Sequence, residues 1–174
     1  VDEDENADYG KPVKSANLPG VPTLHAVLVA YGAGIGVDDD IRLIRDFFRT
    51  LQAEKVVNVR ELLLSGKDAT AEKALAAVKG LSPADDDVLW FAYSGHGAMA
   101  EGERFLCTRG KLLRREAVTE AMQNVGGRLA VQVEQVASHR RGRAAAIGHQ
   151  LAPVGIAPLG GVLAERGQHQ ALDP

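Results

Sequence analysis

The sequence predicts an α/β fold: a three-layer α/β/α sandwich with a mainly parallel sheet. Short, continuously apolar runs alternate with segments in which apolar residues recur at helical spacing. The chain has 174 residues, 45% of them apolar, which suffices for one domain with a sizeable core but not for two ordinary domains. In such folds the active groups lie at the carboxyl ends of the strands, so those ends are where a site is expected.

Composition excludes several classes of function. The net charge of −3 argues against general binding to nucleic acid or to acidic lipid, and no apolar run approaches the roughly 20 residues of a membrane-spanning helix. Cys107 is the only cysteine, which excludes an internal disulfide and a multi-cysteine zinc site. We therefore expect no metal, no cofactor, no nucleic-acid partner and no membrane partner. A single cysteine fits a cytoplasmic location.

Three regions follow from the distribution of residue types. Residues 1–22 are acidic and polar, and they predict a flexible lead-in. Residues 23–137 carry the domain pattern. Residues 138–174 form an atypical tail rich in Ala, Gly and Arg, whose order is uncertain from the sequence. All eight aromatic residues lie at or before Phe105, so the tail contributes none to a core.

The first half of the chain predicts two strand–helix units. The run 24–31 is continuously apolar, as in a strand buried on both faces. Asp38, Asp39 and Asp40 put negative charge where a helix N-terminus favours it, and Asp68 or Thr70 caps the next helix. The predicted order is a strand over 24–31, a helix over 38–51, a strand over 55–64 and a helix over 71–79.

The second half predicts the rest of the sheet. Its elements are a buried strand over 88–93, a short strand over 103–108, a helix over 112–124 and a strand over 128–136. The carboxyl-end rule then selects three loops as candidate site segments: Gly32–Val37, Ser94–Ala100 and the residues after Val136.

The clearest chemical signal is a histidine between glycines, in the sequence Tyr93-Ser94-Gly95-His96-Gly97. Small neighbours let a substrate backbone approach, and an imidazole there can act as a general base. The Gly97 amide can donate to an oxyanion. The same pattern also fits a histidine in a tight turn that only bonds to the backbone, so both interpretations stay open.

Residues 88–97, VLWFAYSGHG, resemble the strand and His-Gly turn of the caspase-like cysteine peptidases, the group that includes metacaspases and paracaspases. The resemblance extends over roughly residues 24–131. It implies a caspase-like fold and a cysteine endopeptidase that hydrolyses polypeptides, with His96 as the base and the Gly97 amide in the oxyanion hole. It also implies a nucleophilic cysteine at the end of the next core strand.

That position is Ala137, 41 residues after His96. Three explanations stay open: a Cys-to-Ala change, a natural inactive homologue, or a departure of the reading frame near residue 131. Gln132, Glu134 and Gln135 interrupt the expected apolar strand and favour the last two. As written, the chain is expected to be inactive, which leaves a non-catalytic domain that binds peptides as the alternative function. Cys107 is expected to be a small buried hydrophobe, and Ser138 is one residue out of place.

Two further features border the expected cleft. The acidic run leans towards a basic substrate side chain, with Asp38 and Asp39 as the candidate binding residues, although a helix N-terminus alone also explains them. The loop Gly32–Gly36 supports a rival function, nucleotide binding, in which Glu61 would hold a ribose. Val37 stands at the third-glycine position of that fingerprint, which weakens the rival.

Overall fold

The computed structural model describes residues 8–32, 36–127, 129–137 and 150–154. Strands and helices alternate along these residues, which confirms the α/β class. In chain order the elements are β1 (Thr23–Tyr31), α1 (Val37–Ala53), β2 (Asn58–Ser65), α2 (Ala71–Lys79), β3 (Val88–Ala100), β4 (Glu103–Cys107), β5 (Leu112–Arg114), α3 (Arg115–Val125), β6 (Leu129–Ala137) and β7 (Gln150–Val154).

The sheet is mixed. Its main part runs in the order β2-β1-β3-β6-β7; β2, β1, β3 and β6 are mutually parallel, and β7 is antiparallel to β6. The far end of β3 pairs antiparallel with β4, and β4 pairs antiparallel with β5. The expected parallel arrangement therefore holds for the four strands that carry the candidate site.

Two hydrophobic clusters account for the apolar runs of the sequence. In β1, Leu24, Ala26 and Leu28 belong to the cluster that contains Ile41 and Phe48 of α1. The alternate residues of β1 belong to the other cluster, which contains residues of α2 and α3. Because successive strand side chains point to opposite faces, a strand covered on both faces is apolar at most of its positions.

The helix boundaries have local causes. Gly36 precedes α1 in the left-handed region, with φ of 79°, and the three aspartates fill the first turn. Thr70 caps α2, since its hydroxyl accepts a 3.2 Å hydrogen bond from the Lys73 amide. Of the two predicted caps, Asp68 or Thr70, Thr70 is therefore the one used.

Two predicted boundaries, the end of β3 and the start of α3, were wrong because the backbone finds a further partner. Strand β3 does not end at Tyr93 but continues to Ala100, since its last four residues pair with β4. The helix expected from Leu112 starts at Arg115, because residues 112–114 pair with β4. Within the expected tail, Gln150–Val154 add a strand beside β6.

We call residues 8–22, part of the segment that the sequence predicts to be flexible, the N-terminal strap. The strap lies along α1, where its carbonyl groups accept hydrogen bonds from helix side chains. Arg45 donates to the carbonyls of Tyr9 and Gly10 at 2.6 and 2.9 Å, and Gln52 donates to that of Lys14 at 2.8 Å. Val13 enters the core with 6% of its surface exposed. Side chains of α1 therefore supply hydrogen-bond donors for the backbone of the strap.

Within the described part of the chain, no helix is long and apolar enough to cross a membrane. The segments 1–7, 138–149 and 155–174 lie outside the described residues.

Candidate functional site

The candidate site lies where the parallel pairing of β1, β3 and β6 ends. The register pairs Tyr31 of β1 with Gly95 of β3, and His96 of β3 with Ala137 of β6. His96 and the position expected to hold the nucleophile are therefore direct neighbours on adjacent strands. The sequence could only count residues between these two positions, whereas the pairing of β3 with β6 makes them adjacent.

Gly95 is required by close packing at this edge. A Cβ atom built on Gly95 would lie 2.2 Å from the Tyr31 carbonyl oxygen and 2.4 Å from the Tyr93 hydroxyl oxygen. No side chain fits at such distances. The absence of a side chain at Gly95 therefore lets the Tyr31 carbonyl and the Tyr93 ring pack against the backbone of β3 directly before His96.

The Tyr93 hydroxyl connects the backbone of His96 with β4. Its oxygen lies 2.6 Å from the His96 carbonyl oxygen and 2.6 Å from the Cys107 carbonyl oxygen. A phenol has one proton, so it donates to one of the two carbonyls at a time. The ring is 1% exposed, so this hydroxyl fixes the backbone around His96 from within the core.

Asp40 and Ser94 form a contact that the sequence analysis missed. The Ser94 hydroxyl, in a residue that is 2% exposed, donates a 2.6 Å hydrogen bond to a carboxylate oxygen of Asp40. The contact joins the first turn of α1 to β3, two residues before His96. A sequence signal exists: Ser94 lies two residues after Ala92, which packs in the α1 cluster, so strand alternation turns Ser94 towards α1.

Asp38 and Asp39, the acidic residues predicted to bind substrate, both contact Arg42. The Arg42 guanidinium donates to Asp38 at 3.1 Å and to Asp39 at 2.6 Å, across one turn of α1. These are the spacings at which helix side chains form ion pairs. Of the three consecutive aspartates, the structure links Asp40 to the histidine strand.

Cys107 ends β4 and is half-buried. Burial raises the pKa of its thiol, which lowers the fraction of reactive thiolate at neutral pH. The Cys107 and His96 carbonyl oxygens both lie within hydrogen-bond distance of the Tyr93 hydroxyl. The backbones of these two residues are therefore close together although 11 residues separate them in the sequence. The protonated, half-buried thiol agrees with the expected role of a small apolar residue.

Glu61 forms a buried ion pair with Arg45 of α1. The Arg45 guanidinium donates to one Glu61 oxygen at 2.7 and 3.0 Å, and the two side chains are 4% and 5% exposed. A carboxylate enclosed in this way is not at the surface, where a ribose would have to reach it. Residues 33–35 of the glycine loop, and Ser138, lie outside the described residues.

Among the described residues, no group of three or more His, Cys, Asp and Glu side chains has an arrangement that could hold a metal ion. A search against models of protein families found no match to this sequence, and a search of curated proteins found none either. The site therefore has to be interpreted from its own residues.

Proposed function

We propose that the chain is a caspase-like cysteine-peptidase domain, a three-layer α/β/α sandwich, that lacks its nucleophile and therefore binds peptides without cleaving them. The observation that carries the proposal is the register between His96 and Ala137. A general base and a nucleophile must lie within reach of each other, and these two positions are paired on adjacent strands.

The proposed chemistry explains what the alanine removes. In a domain with cysteine at position 137, the thiol proton would pass to His96, and the thiolate would attack the carbonyl carbon of the scissile bond. The Gly97 amide would donate to the resulting oxyanion. Collapse would release an amine that takes the proton from His96, and water would hydrolyse the thioester. The alanine has no lone pair with which to begin this sequence, so only the binding step remains.

The contact between Asp40 and Ser94 supports a preference for peptides with a basic side chain. It adds a carboxylate group beside the strand that carries His96. A lysine or arginine side chain suits such a group better than an acidic one does. In this proposal Asp40 takes the role that the sequence analysis gave to Asp38 and Asp39.

Nucleotide binding is the less favoured function. It required Glu61 to hold a ribose, and that carboxylate is paired with Arg45 inside the protein. The three aspartates that follow the glycine loop would also repel a phosphate.

The test restores the missing group. We expect Ala137→Cys to cleave fluorogenic peptides that end in Arg or Lys, and the double variant Ala137→Cys/His96→Ala to lose that activity. The rate of cleavage by Ala137→Cys should be about 100-fold or more above that of the unaltered chain, because an activated nucleophile opens a different reaction path. Peptides ending in Asp serve as the matched substrate control.

The unaltered chain provides the second measurement. Isothermal titration should detect binding of the same basic peptides without turnover, and Asp40→Asn should weaken that binding. Two results would overturn the proposal: His96-dependent cleavage by the unaltered chain, or a folded Ala137→Cys variant that neither cleaves nor binds any of the peptides.

A further inference from the structure

A groove separate from the candidate site lies between the N-terminal strap and the C-terminal end of α1. The groove has a volume of about 590 Å³ and is open to solvent along one side. The candidate site contacts the first turn of α1 through Asp40, whereas the groove adjoins the last turn of the helix. Five apolar residues contribute to its lining: Pro12, Val13, Ala16, Leu18 and Ala53.

The strap is held in place on both sides of this groove. Arg49 and Gln52 of α1 donate to the carbonyls of Lys11 and Lys14. Further along the chain, the Asn58 side chain accepts from the Leu18 amide at 2.7 Å and donates to its carbonyl at 3.1 Å. The groove is therefore formed before any ligand arrives, so little ordering would oppose binding.

The charged residues that line the groove are all basic. They are Lys11, Lys14, Arg49 and Lys55, in a chain whose net charge is −3. Arg49 pairs with Asp46 at 2.5 Å, but the three lysines have no carboxylate within ion-pair distance among the described residues. Such a local excess of positive charge attracts an anion although the chain as a whole is acidic.

The end of α1 does not cancel this attraction. A helix C-terminus carries partial negative charge on its last carbonyl groups. Here the Glu54, Lys55 and Val56 amides donate to carbonyls of the last helical turns at 2.9 to 3.1 Å, which satisfies those acceptors. Lys55 itself has a φ of 58° and is placed directly beyond the helix, so it adds a cation where the helix ends.

We propose that this groove binds a free, single-chain carboxylate amphiphile, such as a medium-chain fatty acid. The apolar lining takes the hydrocarbon chain, and the lysines take the carboxylate. A concave groove accommodates one chain, whereas a bilayer surface would meet the acidic remainder of the protein.

The experiment uses laurate below its micelle concentration as the probe for the full chain. Isothermal titration should show saturable binding at one site. The double variant Lys11→Glu/Lys14→Glu should weaken it by about ten-fold, because two attractions become repulsions. Lys79→Glu, on the exposed face of α2, is the matched control and should bind as tightly as the unaltered chain.

A second variant tests the apolar component with every charge kept. Ala53→Phe places a ring in the groove from an exposed position at the helix end, and we expect it to abolish laurate binding while circular dichroism shows the fold intact. Four results would overturn the proposal: no laurate binding, equal binding of dodecylamine or dodecyl maltoside, no effect of either groove variant, or binding to phosphatidylserine vesicles in place of free laurate.

Discussion

Two histidines at opposite ends of the sheet have contrasting environments. His25, near the amino end of β1, is 7% exposed, and its Nε2 lies 2.9 Å from a carboxylate oxygen of Asp87. Asp87 also accepts hydrogen bonds from the Thr23 amide at 2.7 Å and the Ala84 amide at 2.9 Å. His96, at the carboxyl end of the parallel part of β3, is half-buried between two glycines and beside Ala137.

The comparison teaches that position on the strand, and not residue type, separates a structural histidine from a candidate catalytic one. At the amino end the imidazole and the carboxylate complete each other's hydrogen bonds inside the protein, and they connect the strand to the turn that precedes β3. At the carboxyl end the histidine is half-buried and lies at the edge of the sheet where sites occur in α/β folds. The following predictions test that difference.

The largest effect is expected from Gly95→Ala at the carboxyl end. The new methyl group would overlap the Tyr31 carbonyl, which is backbone and can move only if β1 moves. The free energy of unfolding should fall by about 3 kcal/mol, as measured by urea denaturation. Gly80→Ala is the control, since its Cβ would lie 3.1 Å from the Ala76 carbonyl oxygen and needs only a small adjustment. If both variants lose the same free energy of unfolding, the contact between Gly95 and the Tyr31 carbonyl is not tight.

A smaller effect is expected at the amino end from Asp87→Asn, of about 2 kcal/mol. An asparagine side chain has one accepting oxygen where the carboxylate has two. One of the Thr23 and Ala84 amides therefore loses its acceptor. Urea denaturation at neutral pH measures the loss.

This carboxylate also predicts a dependence of stability on pH. Burial acts to raise the Asp87 pKa, but the hydrogen bonds from Thr23, Ala84 and His25 together outweigh it, and the pKa lies below its ordinary value of 3.8. The stabilisation is therefore complete above the pKa of the unfolded chain and is lost as the pH falls through the lower, folded value. For Asp87→Asn, the free energy of unfolding should change less with pH in that acidic range than it does for the unaltered chain. An equal change with pH in both proteins would contradict the lowered pKa of Asp87. Asp86→Asn, at an exposed position in the same turn, is the control.

The smallest effects sharpen the comparison directly. His25→Ala should lower the free energy of unfolding by about 1.5 kcal/mol, since Asp87 loses a partner in the interior. His96→Ala should change it by less than about 0.5 kcal/mol, because a half-buried surface-edge residue contributes little packing. Both are measured by urea denaturation at neutral pH. If His96 proves as important for stability as His25, it is a structural residue, and the proposed peptidase site loses its base.

Much of the fold could be predicted because many of its elements depend on residues that are close together in the sequence. The apolar run before Tyr31, the aspartates at the start of α1 and the Thr70 cap each act over a few residues, and the structure confirms these elements. The missed features depend on partners distant in sequence. The extension of β3 needs β4, and the strap needs donors from α1, some 35 residues away. No local pattern contains either partner.

The residues of the candidate site also fall into those that the sequence predicts and those that it does not. His96 and its flanking glycines stand out in the sequence because their residue types are uncommon inside a buried strand. The contact between Asp40 and Ser94 does not, since three consecutive aspartates look equivalent until the orientation of α1 sends one to β3 and two to Arg42.

The sequence by itself determined the α/β class, the histidine between two glycines at position 96, and the alanine where the resemblance implies a nucleophile. These follow from periodicity and residue type, which each segment carries independently of its neighbours. Only the tertiary structure decided that His96 and Ala137 are adjacent, that His25 is enclosed with Asp87, and that residues 8–22 lie along α1. Strand register and packing join residues that are far apart in the chain, and their partners are fixed only when the whole sheet forms.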